Sequence, residues 1–283
     1  MRILAAVILF TSTALAHDLF LVPVGQGKDR KICVRVGEHF PASQNAMPLN
    51  RAGIFQARYG GIQKLADKLQ VDEAAKQTCA PLPASAPTGI DSATGSISGI
   101  VEITVNPVFI RLAAKDFNGY IEGEGFAKVI AARKQSGQEQ SEGRELYSRY
   151  AKLILPNAQG VDKPLGHTLE IVPDSPRVGR LGFSKIATEP GIQNLSVRVL
   201  FKGKPLVGVR LSAMYAGYHA PKGTDPHALP VNSTTDADGR AILKLDRPGM
   251  WYARLIYMEP AMNDPEVDWR SYFATLTFEV PHD

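Results

Sequence analysis

The stretch Leu195-Ser196-Val197-Arg198-Val199-Leu200-Phe201, followed by Lys202-Gly203-Lys204-Pro205 and the apolar run over 207–215, decides the fold. Apolar residues alternate with polar ones on either side of a Gly-Lys-Pro turn, the signature of two half-buried strands joined by a tight connection. Downstream the pattern recurs. Asp236-Ala237-Asp238-Gly239 makes a second turn, residues 241–245 a strand, Arg247-Pro248-Gly249 a third turn, and residues 251–257 and 273–280 two further strands. Short strands returning roughly every ten residues predict an immunoglobulin-like antiparallel β-sandwich over 191–283.

Upstream, the Pro- and Gly-containing passage from Pro173 to Gly191 reads as a linker, which leaves 17–175 as an N-terminal β-rich domain. Its first strands lie over 19–22 and 32–36, separated by Gly25-Gln26-Gly27-Lys28-Asp29. A helix is predicted over 61–77, an exposed loop over 81–98, and strands over 100–105 and 108–112. Phe126, Val129 and Ile130 fall at i, i+3 and i+4, so a helix begins there and stops near Gly137. Residues 145–155 are compatible with strand or helix, and Leu169-Glu170-Ile171-Val172-Pro173 closes the domain. The expected architecture is therefore mainly β, in two β-rich domains, with one or two helices inserted in the first.

The 283 residues carry 32 Lys+Arg against 28 Asp+Glu, a net charge of +4 that no basic run concentrates. A nucleic-acid groove is not expected. The only long apolar run, residues 3–10, is shorter than the ~20 residues a spanning helix needs. Arg2 precedes it and Ala14-Leu15-Ala16 follows, which is the small-x-small pattern of a cleavage site. Residues 1–16 thus read as a signal peptide, and the processed chain, periplasmic or secreted, begins at His17.

Export gives the two cysteines, Cys33 and Cys79, a compartment where disulfides persist. A bond between them would stabilise the fold by about 4 kcal/mol in the chain-entropy picture. Two free thiols are the alternative, because sequence does not show their separation.

Six histidines are present, and His17 is distinctive. Cleavage frees its α-amine, which with ring Nδ1 closes a six-membered chelate suited to Cu(II) or Ni(II). His219 and His227 share a polar loop of the second domain and are the first candidates for further imidazoles. His39 is next, since it follows a strand that brings it near His17 if their strands pair, while His167, beside Gly166, reads as a turn residue. No G-x-S-x-G elbow or phosphate-binding glycine loop is present. Glu122 and Glu124 sit where carboxylates favour a helix start without catalysis.

The segments His17-Asp18-Leu19-Phe20-Leu21-Val22-Pro23, Glu124-Gly125-Phe126, Tyr147-Ser148-Arg149-Tyr150-Ala151-Lys152, 165–173, 235–239 and 274–278 carry a family likeness. Together they resemble an exported bacterial domain-of-unknown-function family described as the periplasmic component of nickel/cobalt uptake systems. The resemblance implies a β-sandwich architecture, a nickel or cobalt ion as ligand and a membrane transporter component as partner. It supplies no ligand set. Two other readings stand beside it: a structural or sugar- or protein-binding sandwich module, and a copper-dependent oxidative enzyme built on the N-terminal His.

Overall fold

A computed structural model describes residues 17–25, 29–58, 61–82, 98–175, 184–185, 191–222 and 228–281. The expected signal peptide over 1–16, most of the loop after Pro81 and His227 lie outside them.

In chain order the strands are β1 (Asp18–Val24), β2 (Lys31–Gly37), β3 (Ala52–Arg58), β4 (Ile62–Lys64), β5 (Gln70–Asp72), β6 (Gln77–Pro81) and β7 (Ser98–Leu112). Two helices follow, α1 (Ala114–Gly123) and α2 (Ala127–Gln135). The remainder is β8 (Gly143–Gln159), β9 (Leu169–Pro173), β10 (Ser184–Lys185), β11 (Gln193–Phe201), β12 (Lys204–Pro205), β13 (Arg210–Tyr215), β14 (Val231–Thr234), β15 (Arg240–Leu245), β16 (Gly249–Pro260) and β17 (Trp269–Val280). The protein is mainly β, as its alternation requires.

An eight-stranded sheet in the order β14-β13-β16-β17-β8-β7-β3-β4 forms the middle layer. Its register defines its two faces. Leu211, Ala213, Trp251, Ala253, Leu255, Leu276, Phe278, Ile100 and Ile154 point to one side. There they pack against Leu195, Val197 and Val199 of β11, Leu243 and Leu245 of β15, and Leu169 and Ile171 of β9. This is the sandwich expected from the opening motif. On the opposite face Phe55, Val101, Ile103, Ala151 and Leu153 meet Leu19, Leu21, Ile32 and Val34 of the four-stranded sheet β1-β2-β6-β5. Beside that sheet α1 and α2 cover the end of the same face, where Phe117, Ile121 and Val129 contact Met258 and Trp269.

Two expectations change, and one left open is decided. The division at 175–191 does not separate the sheets: β8 of the first half pairs in parallel with β17, and β9 pairs with β11. Residues 100 to 171 therefore share one core with 195–280. The helix predicted over 61–77 is instead β4, a 3-10 turn at Ala66–Lys68, and β5. Leu65 and Leu69 sit at helical spacing and are both buried, but they cap a sheet edge instead of forming a helix stripe. Residues 145–155, left open between helix and strand, belong to the 17-residue strand β8. The helix beginning at Phe126 is α2, and Gly137 follows it at φ +65, a left-handed stop that glycine takes without strain.

Candidate functional site

The amino-terminal strand places His17. β1 pairs antiparallel with β2 so that Asp18 lies opposite Gly37, which brings His17 beside Glu38. His17 Nε2 is 3.3 Å from Glu38 Oε1, and its Nδ1 is 3.1 Å from the Asn45 side-chain nitrogen. An amide nitrogen only donates, so Nδ1 accepts, and the ring proton sits on Nε2 facing the carboxylate. His17 is only 8 % exposed.

The next residue locks this end to the middle sheet. The Tyr252 hydroxyl donates to Asp18 Oδ2 at 2.6 Å, and Arg254 Nε lies 3.4 Å from the same oxygen. Arg254 also donates to both oxygens of Glu124, just beyond α1, at 2.6 and 2.8 Å. Burial opposes the charge on Arg254, yet Asp18 and Glu124 more than compensate and hold its guanidinium above the ordinary range. Burial, with Asp18 second, pushes the Tyr252 hydroxyl well up. The Thr275 hydroxyl donates to the Leu19 carbonyl at 2.7 Å, so β1 is held at several points.

His39 and His219 come together. Their ring centroids are 5.7 Å apart, and both rings are exposed. The loop after β2 and the loop after β13 are tied by a hydrogen bond from Gly217 N to the Phe40 carbonyl at 2.9 Å. Phe40, Phe20, Met214 and Tyr252 pack beneath them, with Tyr218 against the cluster. Of the four histidines read from sequence, His17 and His39 therefore flank Glu38, and His219 meets His39. His227 lies outside the described residues. Among the described residues no group of three or more His, Cys, Asp or Glu side chains is arranged around a single point for a metal ion.

His167, read from sequence as a turn residue, is buried and engaged. Its Nε2 meets Glu102 Oε2 at 2.7 Å and its ring stacks on Tyr150. Glu102 also accepts from Arg58 and Gln56, each at 2.7 Å. Alongside, Lys152 donates to Glu170 at 2.9 Å where β8 faces β9. These side chains are mutually satisfied and hold layers together. Glu38 and Asn45, by contrast, were not singled out in the sequence, although the position of Glu38 beside the β2 end carried the signal.

Cys33 and Cys79 are directly opposed on β2 and β6 and form a disulfide. Among the described residues no helix is long and apolar enough to cross a membrane.

A family model described as a domain of unknown function, DUF4198, matches residues 14–259. The chain belongs to the DUF4198 family. The match takes in the His17 strand, both helices, Tyr252 and Arg254. No curated protein matches the chain. Among solved structures, the chain is similar to a chimeric titin Z1Z2 tandem, with 11% identity over 93% of this chain and 96% of that one and a TM-score of 0.19. It is likewise similar to the D0-D1 domain of intimin, at 10% identity over 92% and 97% of the two chains and a TM-score of 0.22. At these scores the description of the DUF4198 fold rests on its own sheet pairings.

Proposed function

We propose that this protein is an exported metal-binding accessory for uptake of nickel, cobalt or a similar divalent transition ion, with His17 at the centre of its site. The observation that carries the reading is the pairing of His17 Nε2 with Glu38, which leaves the Nδ1 lone pair available. Nδ1 is the ring nitrogen that closes a chelate with an α-amine, and a carboxylate on the far nitrogen orients a ligating imidazole and raises its basicity. A metal ion entering here displaces the Asn45 amide from Nδ1. Amine and imidazole supply two nitrogens, a donor set that suits Ni(II) and Cu(II). His39 and His219, adjacent to Glu38 through the chain and through the tied loops, are the imidazoles nearest to hand for completing the shell. The Cys33–Cys79 disulfide supports an exported location, since such bonds persist outside the cytoplasm.

Calorimetry with Ni(II), Co(II) and Cu(II) tests the reading. Protein processed to begin at His17 is compared with a Met-extended chain, with His17→Ala and with a His39→Ala/His219→Ala double variant. The chelate predicts loss of binding in the second and third and a smaller loss in the fourth. Equal affinity in all four excludes it. Turnover of dioxygen by the copper-loaded form would favour the oxidative alternative.

A further inference from the structure

A second cluster of polar side chains lies on the helix-covered face of the middle sheet, away from the histidines, and its centre is Arg149. This residue is 7 % exposed, and its guanidinium stacks over Tyr147 at 4.7 Å and Phe273 at 5.2 Å. Among the described residues it donates no hydrogen bond and makes no ion pair, and its Nε is completely buried without an acceptor. A guanidinium carries five donors and does not shed its proton, so burying one unpaired is costly. Arg254, the neighbouring buried arginine, shows the ordinary solution, with Asp18 and Glu124 as partners.

Three further polar atoms on this face are buried without a well-formed hydrogen bond: the Tyr120 hydroxyl on α1, Glu145 Oε2 on β8 and Trp269 Nε1 on β17. Register puts Glu145 opposite Trp269 and Arg149 opposite Phe273 on adjacent parallel strands. Tyr120 lies within electrostatic reach of both Glu145 and Arg149. The other Glu145 oxygen accepts from Ser271. Burial pushes the Glu145 carboxyl up to about 7, against the opposing pull of Ser271, Arg149 and the nearby Tyr120 hydroxyl. A protonated Glu145 offers a fourth donor. Donors from α1, β8 and β17 thus share one face with an arginine that makes no hydrogen bond.

We propose that Arg149, Tyr120, Glu145 and Trp269 form an internal binding site for a small monocarboxylate. One unpaired positive charge matches one negative charge, and a planar carboxylate accepts two parallel bonds from a guanidinium fork. A doubly charged phosphate fits less well, because Glu124 lies within electrostatic reach of Tyr120. The site is independent of the His17 reading, and either can fail without the other.

The test is NMR titration of the processed full-length chain with sodium acetate, following the Arg149 Nε–H and Trp269 Nε1–H resonances, with inorganic phosphate as the comparison. Saturable shifts with acetate are expected. They weaken about tenfold in Tyr120→Phe, the equivalent of one lost hydrogen bond, and vanish in Arg149→Lys. Tyr120→Phe keeps the ring that packs on Phe117 and Phe126, so it retains the fold and carries the test if Arg149→Lys does not fold. No saturable response to acetate, equal affinity in Tyr120→Phe and the parent, or preference for phosphate would each overturn the assignment. So would a crystal grown in acetate with only water against the four groups.

Discussion

Glu102 on β7 and His167 before β9 are 65 positions apart and meet side chain to side chain at 2.7 Å, both buried. Burial by itself raises the Glu102 carboxyl. The bonds from His167, Gln56 and Arg58 outweigh that and bring it down to about 2. A carboxylate held below its unfolded value contributes stability above pH ~4.5 that is lost as pH falls towards ~2. Glu102→Gln should cost roughly 3 kcal/mol at pH 7, because Arg58 and His167 are left facing an amide. It should also flatten the stability profile between those two pH values. Urea unfolding at pH 7, 4 and 3 reads both effects, and an unchanged acid slope refutes the assignment.

Glu145 works in the opposite sense. Its pKa is raised, so the native state binds the proton more tightly than the unfolded chain does. Its contribution is complete below pH ~4.5 and disappears as pH rises through ~7. The groups facing it are Ser271, Trp269, Arg149, Tyr147 and Tyr120, with Arg254 and Glu124 beyond. Glu145→Gln keeps the shape and a donor without the charge. The variant should gain stability relative to the parent at pH 8 and lose the slope between pH 5 and 7. Thermal melts across that window decide it.

Much of the sandwich was legible because its strands are half-buried: Leu195, Val197 and Val199 alternate with Ser196 and Arg198, and Leu243 and Leu245 flank Lys244. The helix α1 was missed although Phe117 and Ile121 stand four apart, because Gly119 and Gly123 break up its ten residues. The expected domain boundary misplaced the join, since parallel pairing of β8 with β17 leaves no local trace in either strand. For the site, the proximity of His17 to the end of β2 followed from two adjacent strands. The meeting of Arg149 with Tyr120 did not, since it depends on a helix crossing a sheet face.

The Cys33–Cys79 bond closes a loop with a sequence separation of 46. Replacing both cysteines with serine should lower stability by about 4 kcal/mol, by releasing the unfolded chain. Comparing urea midpoints of Cys33→Ser/Cys79→Ser and the oxidised parent measures it. A loss below about 1 kcal/mol would mean that the sheet alone sets the register of β2 and β6.

Gly143 opens β8 with its Cα hydrogen against the face of the Phe117 ring, and a methyl group there collides with three ring atoms. Gly143→Ala should displace α1 and cost about 1–3 kcal/mol. A second change, Phe117→Leu, should recover part of that loss by clearing the ring. A double-mutant cycle that shows strict additivity contradicts this packing.

The placement of β17 between β16 and β8 has a consequence for how the chain is made. Residues 269–280 follow every other strand of the middle sheet in the chain, yet they join β14-β13-β16 to β8-β7-β3-β4. Until they arrive, the middle layer exists as two halves with open edges, and β1, synthesised early, waits for Tyr252, Arg254 and Thr275 before it can dock. Completion of the sheet therefore waits for its last strand in the chain. A product that stops before Trp269 presents two naked strand edges, on β16 and β8, for self-association or proteolysis.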